Sequence, residues 1–252
     1  MPAAATPAII LSALRYGDTS KIVRLATEDF GVQSAIAKGA LRPKSRFGAA
    51  LQVLSDGVAH LIVRPQRDLQ LLTAFDLTRL RAGLTEDVER YAAAEALAEL
   101  MIRFAPADAH PESFQVLAEG LDILETAPVA GVGTAALRAV WSLVGSLGFA
   151  PSLTSCVRDG ADVPAGPLAF STREGGALCA GCAAVQDVTR LPPGDRADLE
   201  TLLSAAGPLP ALDDRRQAAH RRLLSRYIHH HLGEGAVLPA LDFWLRRPWA
   251  AA

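Results

Sequence analysis

Short apolar runs alternate with turn-forming residues over residues 8–76, and this pattern predicts strands rather than helices. The runs cover residues 8–14, 20–27, 32–37, 51–54 continuing through a break at Asp56-Gly57 into 58–63, and 69–75. Five closely spaced strands punctuated by Gly, Asp and Pro are typical of a small antiparallel barrel or sandwich. Their number and span favour the OB-fold, a five-stranded barrel, with an SH3-like barrel as the main alternative.

From about Leu77 the apolar period lengthens to 3.6 residues, which predicts amphipathic helices. Helices are expected over residues 85–104 with Thr85 as N-cap, 112–126 after Pro111, 134–147 before Gly148, 198–206, and 215–232 before Gly233. Residues 151–192 lack the helical period and contain all three cysteines. The expected architecture is therefore α+β and multidomain. An OB-fold barrel occupies residues 1–80, and an all-α domain occupies 81–252 with a zinc-finger-like insertion at 151–192.

The chain has 252 residues, half of them apolar, which is enough for a sizeable core in one large domain or two modest ones. No uninterrupted apolar stretch reaches about 20 residues, so no transmembrane helix is expected. The first residues lack the cationic and apolar regions of a signal peptide. Three cysteines cannot all pair internally, and the spacing of Cys179 and Cys182 suits a metal knuckle or a redox pair in a reducing cytosol. We expect a cytoplasmic protein that does not contact a membrane.

Positive charge is concentrated near the N-terminus. Residues 1–80 contain ten Lys and Arg against six Asp and Glu, a net of +4, whereas the remainder contains fifteen against twenty-one, a net of −6. The run KGALRPKSRF at residues 38–47 places four cations within nine residues, and its Gly and Pro forbid a regular helix and should hold the backbone open. Such a loop suits a polyanion such as DNA, although a loop that only keeps the surface solvated is the alternative. The candidate DNA-binding residues are Lys21, Arg24, Lys38, Arg42, Lys44 and Arg46.

The cysteines have nearly the spacing of a structural zinc ribbon, in which two C-x2-C pairs lie about twenty residues apart. Cys179 and Cys182 form one pair, and Asp159 stands where a cysteine would complete the other pair with Cys156. An aspartate can bind zinc, so these four residues are a candidate metal site with one zinc ion. A metal-free remnant whose cysteines pack as small apolar groups is the main alternative, and a redox dithiol is a third.

Other chemically suggestive residues are more simply explained. Consecutive helix positions point about 100° apart, so His229-His230-His231 should end a helix rather than converge on one ion. The arginines at 215, 216, 221, 222 and 226 most simply form a solvated helix face, with a DNA or acidic-peptide contact as the alternative. No phosphate-binding glycine loop, H-E-x-x-H or G-x-S-x-G motif occurs. The sequence therefore indicates a binding protein and not an enzyme.

These features together resemble one family, the bacterial recombination mediator RecO. The resemblance is carried by YGDTSKIV at 16–23, TEDFG at 27–31, AKGALRPKSRF at 37–47, LGF at 147–149, Cys156 with Gly160, FS at 170–171, GG at 175–176, Cys179 with Cys182, RYI at 226–228 and LG at 232–233. It spans most of the chain and is most specific in the basic loop. At Asp159 the chain departs from the zinc-bearing members, which have a cysteine there, and some members lack the metal.

The resemblance implies an N-terminal OB-fold, a helical C-terminal domain with a zinc-finger-like insertion, and a non-enzymatic role in DNA repair and recombination. Members of the family bind single- and double-stranded DNA, anneal complementary strands and, with RecR, load RecA onto strands coated by single-stranded DNA-binding protein (SSB). The resemblance further implies that RecR docks on the N-terminal domain and the acidic SSB tail on the helical domain. The alternative function is a protein-interaction adaptor whose basic barrel binds an acidic partner without annealing DNA.

Overall fold

The computed structural model describes residues 4–64, 66–106, 108–184, 188–204, 207–232 and 236–251. The chain divides into two compact units, Met1–Thr126 and Ala127–Ala252. The strands are β1 (Ala4–Tyr16), β2 (Ser20–Thr27), β3 (Gly31–Ala37), β4 (Asp56–Ile62), β5 (Leu69–Arg79), β6 (Leu168–Ser171), β7 (Gly176–Leu178) and β8 (Thr189–Leu191). The helices are α1 (Val88–Phe104), α2 (Pro111–Thr126), α3 (Val132–Val144), α4 (Ala180–Ala183), α5 (Pro193–Leu203), α6 (Asp214–His231) and α7 (Pro239–Arg246).

The first unit contains a closed barrel with the strand order β1-β2-β3-β5-β4, which confirms the predicted OB-fold topology. β1 pairs with both β2 and β4, and the parallel pairing of β3 with β5 completes the closure. Alternate residues of the strands point inward, so their apolar side chains share one core. Ile10, Val23, Leu25, Leu61 and Leu72 are almost completely buried in it.

The prediction of residues 51–54 as the beginning of the fourth strand is wrong. β4 begins at Asp56, and the preceding residues form turns in which Leu51 and Leu54 are buried. The backbone of Leu54 donates a hydrogen bond to the carbonyl of Ile10 in β1 at 2.7 Å. The apolar run therefore reflects a loop folded into the barrel end, and burial alone does not distinguish such a loop from a strand.

Helices α1 and α2 belong to the same compact unit as the barrel. The N-cap of α1 is Asp87 and not the predicted Thr85: the Asp87 side chain accepts the backbone N–H of Arg90 at 3.0 Å. The end of β5 is tied to α2 by ion pairs of Arg79 and Arg81 with Asp122, and Arg81 also bonds Asp56. Burial is the main reason that the pKa of Asp56 is raised despite this arginine.

The second unit is built around α3, in which all residues except Ser142 are buried. The region Val129–Phe149 is long and apolar enough to cross a membrane, but 67% of it is buried inside the structure, as expected of a core helix. The buried guanidinium of Arg138 donates hydrogen bonds to the carbonyls of Thr201, Gly207 and Pro208. The helical region ends near Gly148, whose φ of 91° is the left-handed conformation that the sequence predicted for this glycine.

Around α3 lie a three-stranded sheet of order β7-β6-β8 and helices α5, α6 and α7. The sheet and the short helix α4 occupy the predicted non-helical insertion, and α5 begins at Pro193, five residues before the predicted start. The predicted end of α6 at Gly233 lies outside the described residues. The sequence reasoning missed α7, an eight-residue helix whose Leu241 and Trp244 are buried.

Candidate nucleic-acid interface and metal centre

The basic loop, residues 38–47, is a chain of tight turns and not the open segment that the sequence predicted. Backbone hydrogen bonds close successive turns from Gly39 to Arg42, from Arg42 to Ser45 and from Ser45 to Gly48. Gly39 adopts a φ of 75°, which favours glycine, and Leu41 donates to the carbonyl of Thr19 in the β1–β2 turn at 2.8 Å. The turns are thereby fixed to the barrel end.

Two apolar residues anchor the basic loop while its cations stay outside. Ala40 and Phe47 belong to the barrel core, with Phe47 only 2% exposed. The four loop cations are all exposed and no ion pair involving them is seen in the described part of the chain: Lys38, Arg42, Lys44 and Arg46. The loop therefore presents fixed positive charge from turns that are anchored in the core.

The other two predicted DNA-binding residues lie on β2 and have different environments. Lys21 is half-buried and its Nζ donates to the carbonyl of Leu51 at 3.3 Å. Its amine therefore contacts the chain just after the basic loop. Arg24 is exposed and pairs in register with Ser34 of β3. Arg24 thus lies on the outer wall of the barrel, and its register partner Ser34 is not part of the basic loop.

The sequence reasoning overlooked two further cations on the barrel. Arg64 and Arg67 lie in the β4–β5 loop and line a groove of about 640 Å³ together with Lys38. No local motif marks them, because their proximity to Lys38 depends on the parallel pairing of β3 with β5.

The candidate metal centre brings together the four residues that the sequence proposed. One ligand atom from each of Cys156, Asp159, Cys179 and Cys182 can be chosen so that all four lie within 4.8 Å of one another. The Oδ2 atom of Asp159 is 3.3 Å from the Sγ of Cys179 and 3.2 Å from that of Cys182. The residues come from two turns, the first before the short sheet and the second at the start of α4.

This geometry fits a tetrahedral zinc ion. With Zn–O and Zn–S distances of about 2.0 and 2.3 Å, an oxygen and a sulfur ligand of one zinc lie about 3.5 Å apart. The two observed separations between Asp159 and the cysteine sulfurs are close to that value. Three thiolates and one carboxylate also match the ligand chemistry of zinc. Bound there, zinc would link the turn at Cys156 to the turn at Cys179 and would play a structural role.

The pKa values of the cluster residues reflect the hydrogen bonds that these residues make. Hydrogen bonds from the backbone of Ala161 and from the cysteine thiols hold the pKa of Asp159 well below its usual range. The hydrogen bond to Asp159 is the main reason that the pKa of Cys182 rises to about 12. Burial raises the pKa of Cys156, but hydrogen bonds to backbone groups outweigh it and the net pKa is lowered. The Asp159 carboxylate accepts hydrogen bonds from the thiols of Cys179 and Cys182.

A second basic groove lies between α6 and the end of α7. It measures about 610 Å³, and its described lining combines Leu245 with five arginines and no carboxylate: Arg221, Arg222, Arg226, Arg246 and Arg247. Arg216, another candidate on α6, instead bonds Asp198 at 2.9 Å. Part of the predicted arginine face of α6 therefore lines a groove whose lining also includes the half-buried Leu245.

As the sequence predicted, the three consecutive histidines do not converge on one point. His229 Nε2 lies 3.2 Å from Asp242 of α7, whereas His231 Nε2 lies 2.7 Å from the carbonyl of Thr172. All three occupy the last turn of α6. They belong to the helix end and not to a metal site.

Comparison with known proteins gives a consistent result along the chain. The family model described as Recombination protein O N terminal matches residues 1–81, and that described as Recombination protein O C terminal matches residues 85–237. A DNA repair protein RecO from Anaeromyxobacter sp. strain K is 36% identical over 235 residues, covering 89% of this chain and 90% of the relative. A RecO from Rubrobacter xylanophilus is 32% identical over 234 residues, covering 91% and 92% of the two chains. The barrel, the helical unit and these matches together show that the chain belongs to the RecO family of DNA repair proteins.

Proposed function

We propose that this protein acts in DNA repair and recombination by binding DNA through the basic loop and annealing complementary strands, without making or breaking covalent bonds. The observation that carries the proposal is the separation of roles in the loop: Ala40 and Phe47 fix its turns in the core, while four cations remain exposed. Cations in that arrangement bind phosphates independently of sequence. Of the four aromatic side chains of the barrel, Phe47 and Phe75 are buried, which leaves only Tyr16 and Phe30 for base stacking, so we expect electrostatics to outweigh stacking.

Annealing follows from charge neutralisation. Two complementary strands repel through their phosphates, and a cationic surface that binds both lowers this repulsion and raises their local concentration. Phosphate contacts carry no sequence information, so any complementary pair can be annealed. The DNA of a bacterial cell lies in the cytoplasm, and we place the protein there.

The test is a loop variant with Lys38, Arg42, Lys44 and Arg46 all replaced by Ala. The fold should persist, because exposed charges contribute little to stability. DNA affinity should fall, and the slope of log K against log salt should flatten by about 0.7–0.9 for each lost phosphate contact. Annealing should slow in parallel. Unchanged DNA binding by this variant at two salt concentrations would contradict the assignment of the basic loop as the DNA-binding surface. DNA binding by the wild-type protein without strand annealing would favour the protein-interaction adaptor.

We also propose that the groove between α6 and α7 receives the acidic C-terminal tail of SSB. Leu245 in the groove lining suits the apolar end of such a peptide, and the exposed side chains of Arg222, Arg226 and Arg246 suit its carboxylates. This role would bring the protein to SSB-coated strands, where with RecR it would load RecA. RecR is proposed to dock on the barrel unit, as the family resemblance implies.

Charge reversals at two positions on one helix test the tail site. Arg222→Glu, which lies in the groove, should weaken binding of a synthetic acidic tail peptide about tenfold or more, by analogy with other charged pairs at interfaces. Arg215→Glu is a matched control, because Arg215 is exposed on α6 and does not line the groove. Fluorescence anisotropy of the labelled peptide measures both. Equal losses in the two variants would show only a general charge effect.

The four-residue cluster is proposed to hold one structural zinc ion. Cys156, Cys179 and Cys182 would supply thiolates and Asp159 the fourth ligand. The metal would stabilise the turns of the insertion and would take no part in DNA contact.

A further inference from the structure

The three cysteines of the cluster differ in their access to small molecules. Cys179 lines a groove of about 620 Å³, and neither Cys156 nor Cys182 is among the described residues of its lining. Cys156 is 2% exposed and packs with Leu178 and Ala183 in a small apolar core, whereas Cys179 and Cys182 are half-buried. A molecule that enters the groove therefore meets Cys179 first.

The groove lies on one face of the three-stranded sheet and is mostly apolar. Ala169 of β6 is in register with Leu178 of β7 and with Arg190 of β8, and all three residues line the groove. Most of the other described lining residues are alanines and prolines, with Asp162 as the one carboxylate among them. Arg190 is exposed and is the one cation of this described lining. The groove therefore suits a compact organic molecule that carries a carboxylate.

Cys179 and Cys182 are placed to form a disulfide within one turn. Cys179 is the N-cap of α4, and its Sγ accepts the backbone N–H of Cys182 at 3.5 Å. The two sulfurs lie within 4.8 Å of each other. Residues three apart in a turn have Cα atoms less than about 7 Å apart, and a disulfide usually spans about 4.4–6.8 Å between its Cα atoms. Rotation of the two side chains can therefore close the bond without unfolding the turn.

We infer that Cys179 is the site at which a low-molecular-weight disulfide, of the kind that glutathione forms, oxidises this protein, and that Cys182 resolves the adduct. The inference builds on the proposed zinc site, in which both cysteines would be thiolates. The thiolate is the form of the cysteine side chain that attacks a disulfide. The groove selects Cys179 for the first attack, and the turn supplies Cys182 for the second.

The reaction consists of two thiol–disulfide exchanges and moves two electrons from the protein to the small molecule. The Cys179 thiolate attacks one sulfur of the small disulfide, forms a mixed disulfide and expels the first small thiolate. The Cys182 thiolate then attacks the Cys179 sulfur, closes the protein disulfide and expels the second small thiolate. The small disulfide is reduced to two thiolates, and the two protein thiolates are oxidised to one disulfide.

Asp159 makes this single disulfide the complete product. Once Cys179 is bonded to Cys182, only Cys156 and Asp159 remain as ligands, which are too few for a structural zinc site. A cysteine in place of Asp159 could form a second disulfide with Cys156, whereas the carboxylate cannot. One small disulfide therefore oxidises the site completely, and reduction of one bond restores every ligand. The turns at Cys156 and Cys179 lose their metal link, while the basic loop in the other unit is unchanged.

The first experiment treats the full-length protein with glutathione disulfide and follows it by intact mass, peptide mapping and zinc analysis. The wild type should end with a disulfide between Cys179 and Cys182, no retained glutathione, and one zinc released for each disulfide formed. Cys182→Ser should retain one glutathione on Cys179, because the resolving thiol is absent. A wild-type disulfide that involves Cys156 would overturn the inference. An adduct on Cys182 in Cys179→Ser that forms as fast as the wild-type disulfide would overturn it as well.

A second pair of variants tests entry through the groove without changing a cysteine. Ala165 is exposed and lines the groove, so Ala165→Trp places an indole there and should slow disulfide formation about tenfold or more. Thr154 is exposed in the same insertion but is not among the described lining residues, and Thr154→Trp should change the rate by less than about twofold. Equal rates in the two variants would show that the groove does not select Cys179 and would overturn the inference.

The outcomes also separate this inference from the proposed zinc site. If the purified protein contains zinc but forms no disulfide at Cys179, the inference fails and the zinc site stands. If the protein contains no zinc and the disulfide still forms through an adduct on Cys179, the zinc proposal fails and the inference stands.

Discussion

The basic loop and the cysteine cluster divide folding and function between residues in opposite ways. In the loop, Ala40 and Phe47 hold the turns while exposed cations meet the ligand, so different side chains carry the two roles. In the cluster, the thiols and the carboxylate that would bind the metal are also the groups that connect two turns. Loop charges can therefore be changed without harming the fold, whereas a change to a cluster ligand should act on stability first.

The largest expected effect is at the anchor of the basic loop. Phe47→Ala removes a ring that is 2% exposed in the barrel core, which should lower the free energy of unfolding by about 3–5 kcal/mol. Arg46→Ala, one residue away and exposed, should change it by less than about 0.5 kcal/mol. Urea unfolding followed by far-UV circular dichroism measures both. Similar stabilities would show that the turns do not depend on their core anchor.

A smaller effect is expected when a ligand is removed from the cluster. Cys179→Ser should lower zinc content well below one equivalent. If free zinc is one hundred times Kd, the lost stabilisation is about 2.7 kcal/mol. All three tryptophans lie at 141, 244 and 249, so intrinsic fluorescence follows unfolding of the second unit. DNA affinity should change by less than twofold, because the basic loop belongs to the other unit.

Two comparisons make this metal prediction decisive. Asp159→Cys should raise zinc affinity, since a fourth thiolate replaces the carboxylate and completes the commoner ligand set. Elemental analysis of protein purified without chelator measures occupancy in all three proteins. Zinc far below one equivalent in the wild type, with unchanged stability in Cys179→Ser, would favour the metal-free remnant.

The sequence predicted those parts of the molecule whose signals are local. The period of two predicted the barrel strands, the period of 3.6 predicted α1, α2, α3 and α6, and the cysteine spacing identified all four members of the cluster, including Asp159. The apolar run at residues 51–54 was mistaken for a strand because a buried loop and a short strand have the same composition. Helix α7 was missed because it is only eight residues long and no side chain caps its N-terminus.

What the sequence did not predict depends on register between distant strands. Ile22, Ile36, Ile62 and Leu71 are separated by up to forty-nine positions, and each alone looks like an ordinary strand residue. Only the closure of the barrel aligns them in one row on the outer wall. The same holds for Arg64 and Arg67, whose charges appear in the sequence but whose proximity to Lys38 does not.

The smallest expected effect is on the pH dependence of unfolding of the second unit. It tests whether side-chain packing and the metal cluster stabilise this unit independently. His220 is 2% exposed, and its Nε2 lies 3.9 Å from Asp198, which bonds Arg216. Burial lowers the pKa of His220; Asp198 and Asp195 oppose this shift and Arg216 adds to it. The unfolded chain thus binds a proton at a higher pH than the folded chain does. The stability that depends on a neutral His220 is fully present above about pH 6.5, the pKa of histidine in the unfolded chain, and is lost as the pH falls through the folded pKa.

His220→Gln should therefore flatten the loss of stability on acidification below about pH 6.5, as measured by tryptophan fluorescence during urea unfolding. Arg215→Gln, at an exposed position on the same helix, is the matched control and should leave the slope unchanged. The measurement is made in wild type and in Cys179→Ser. Because His220 is not one of the cluster ligands, the His220→Gln substitution is expected to change the slope by the same amount in both backgrounds. A change that vanishes without the metal ligand would show that the cluster and the packing of α6 are energetically coupled, and that the cluster contributes to more of the second unit than its own turns.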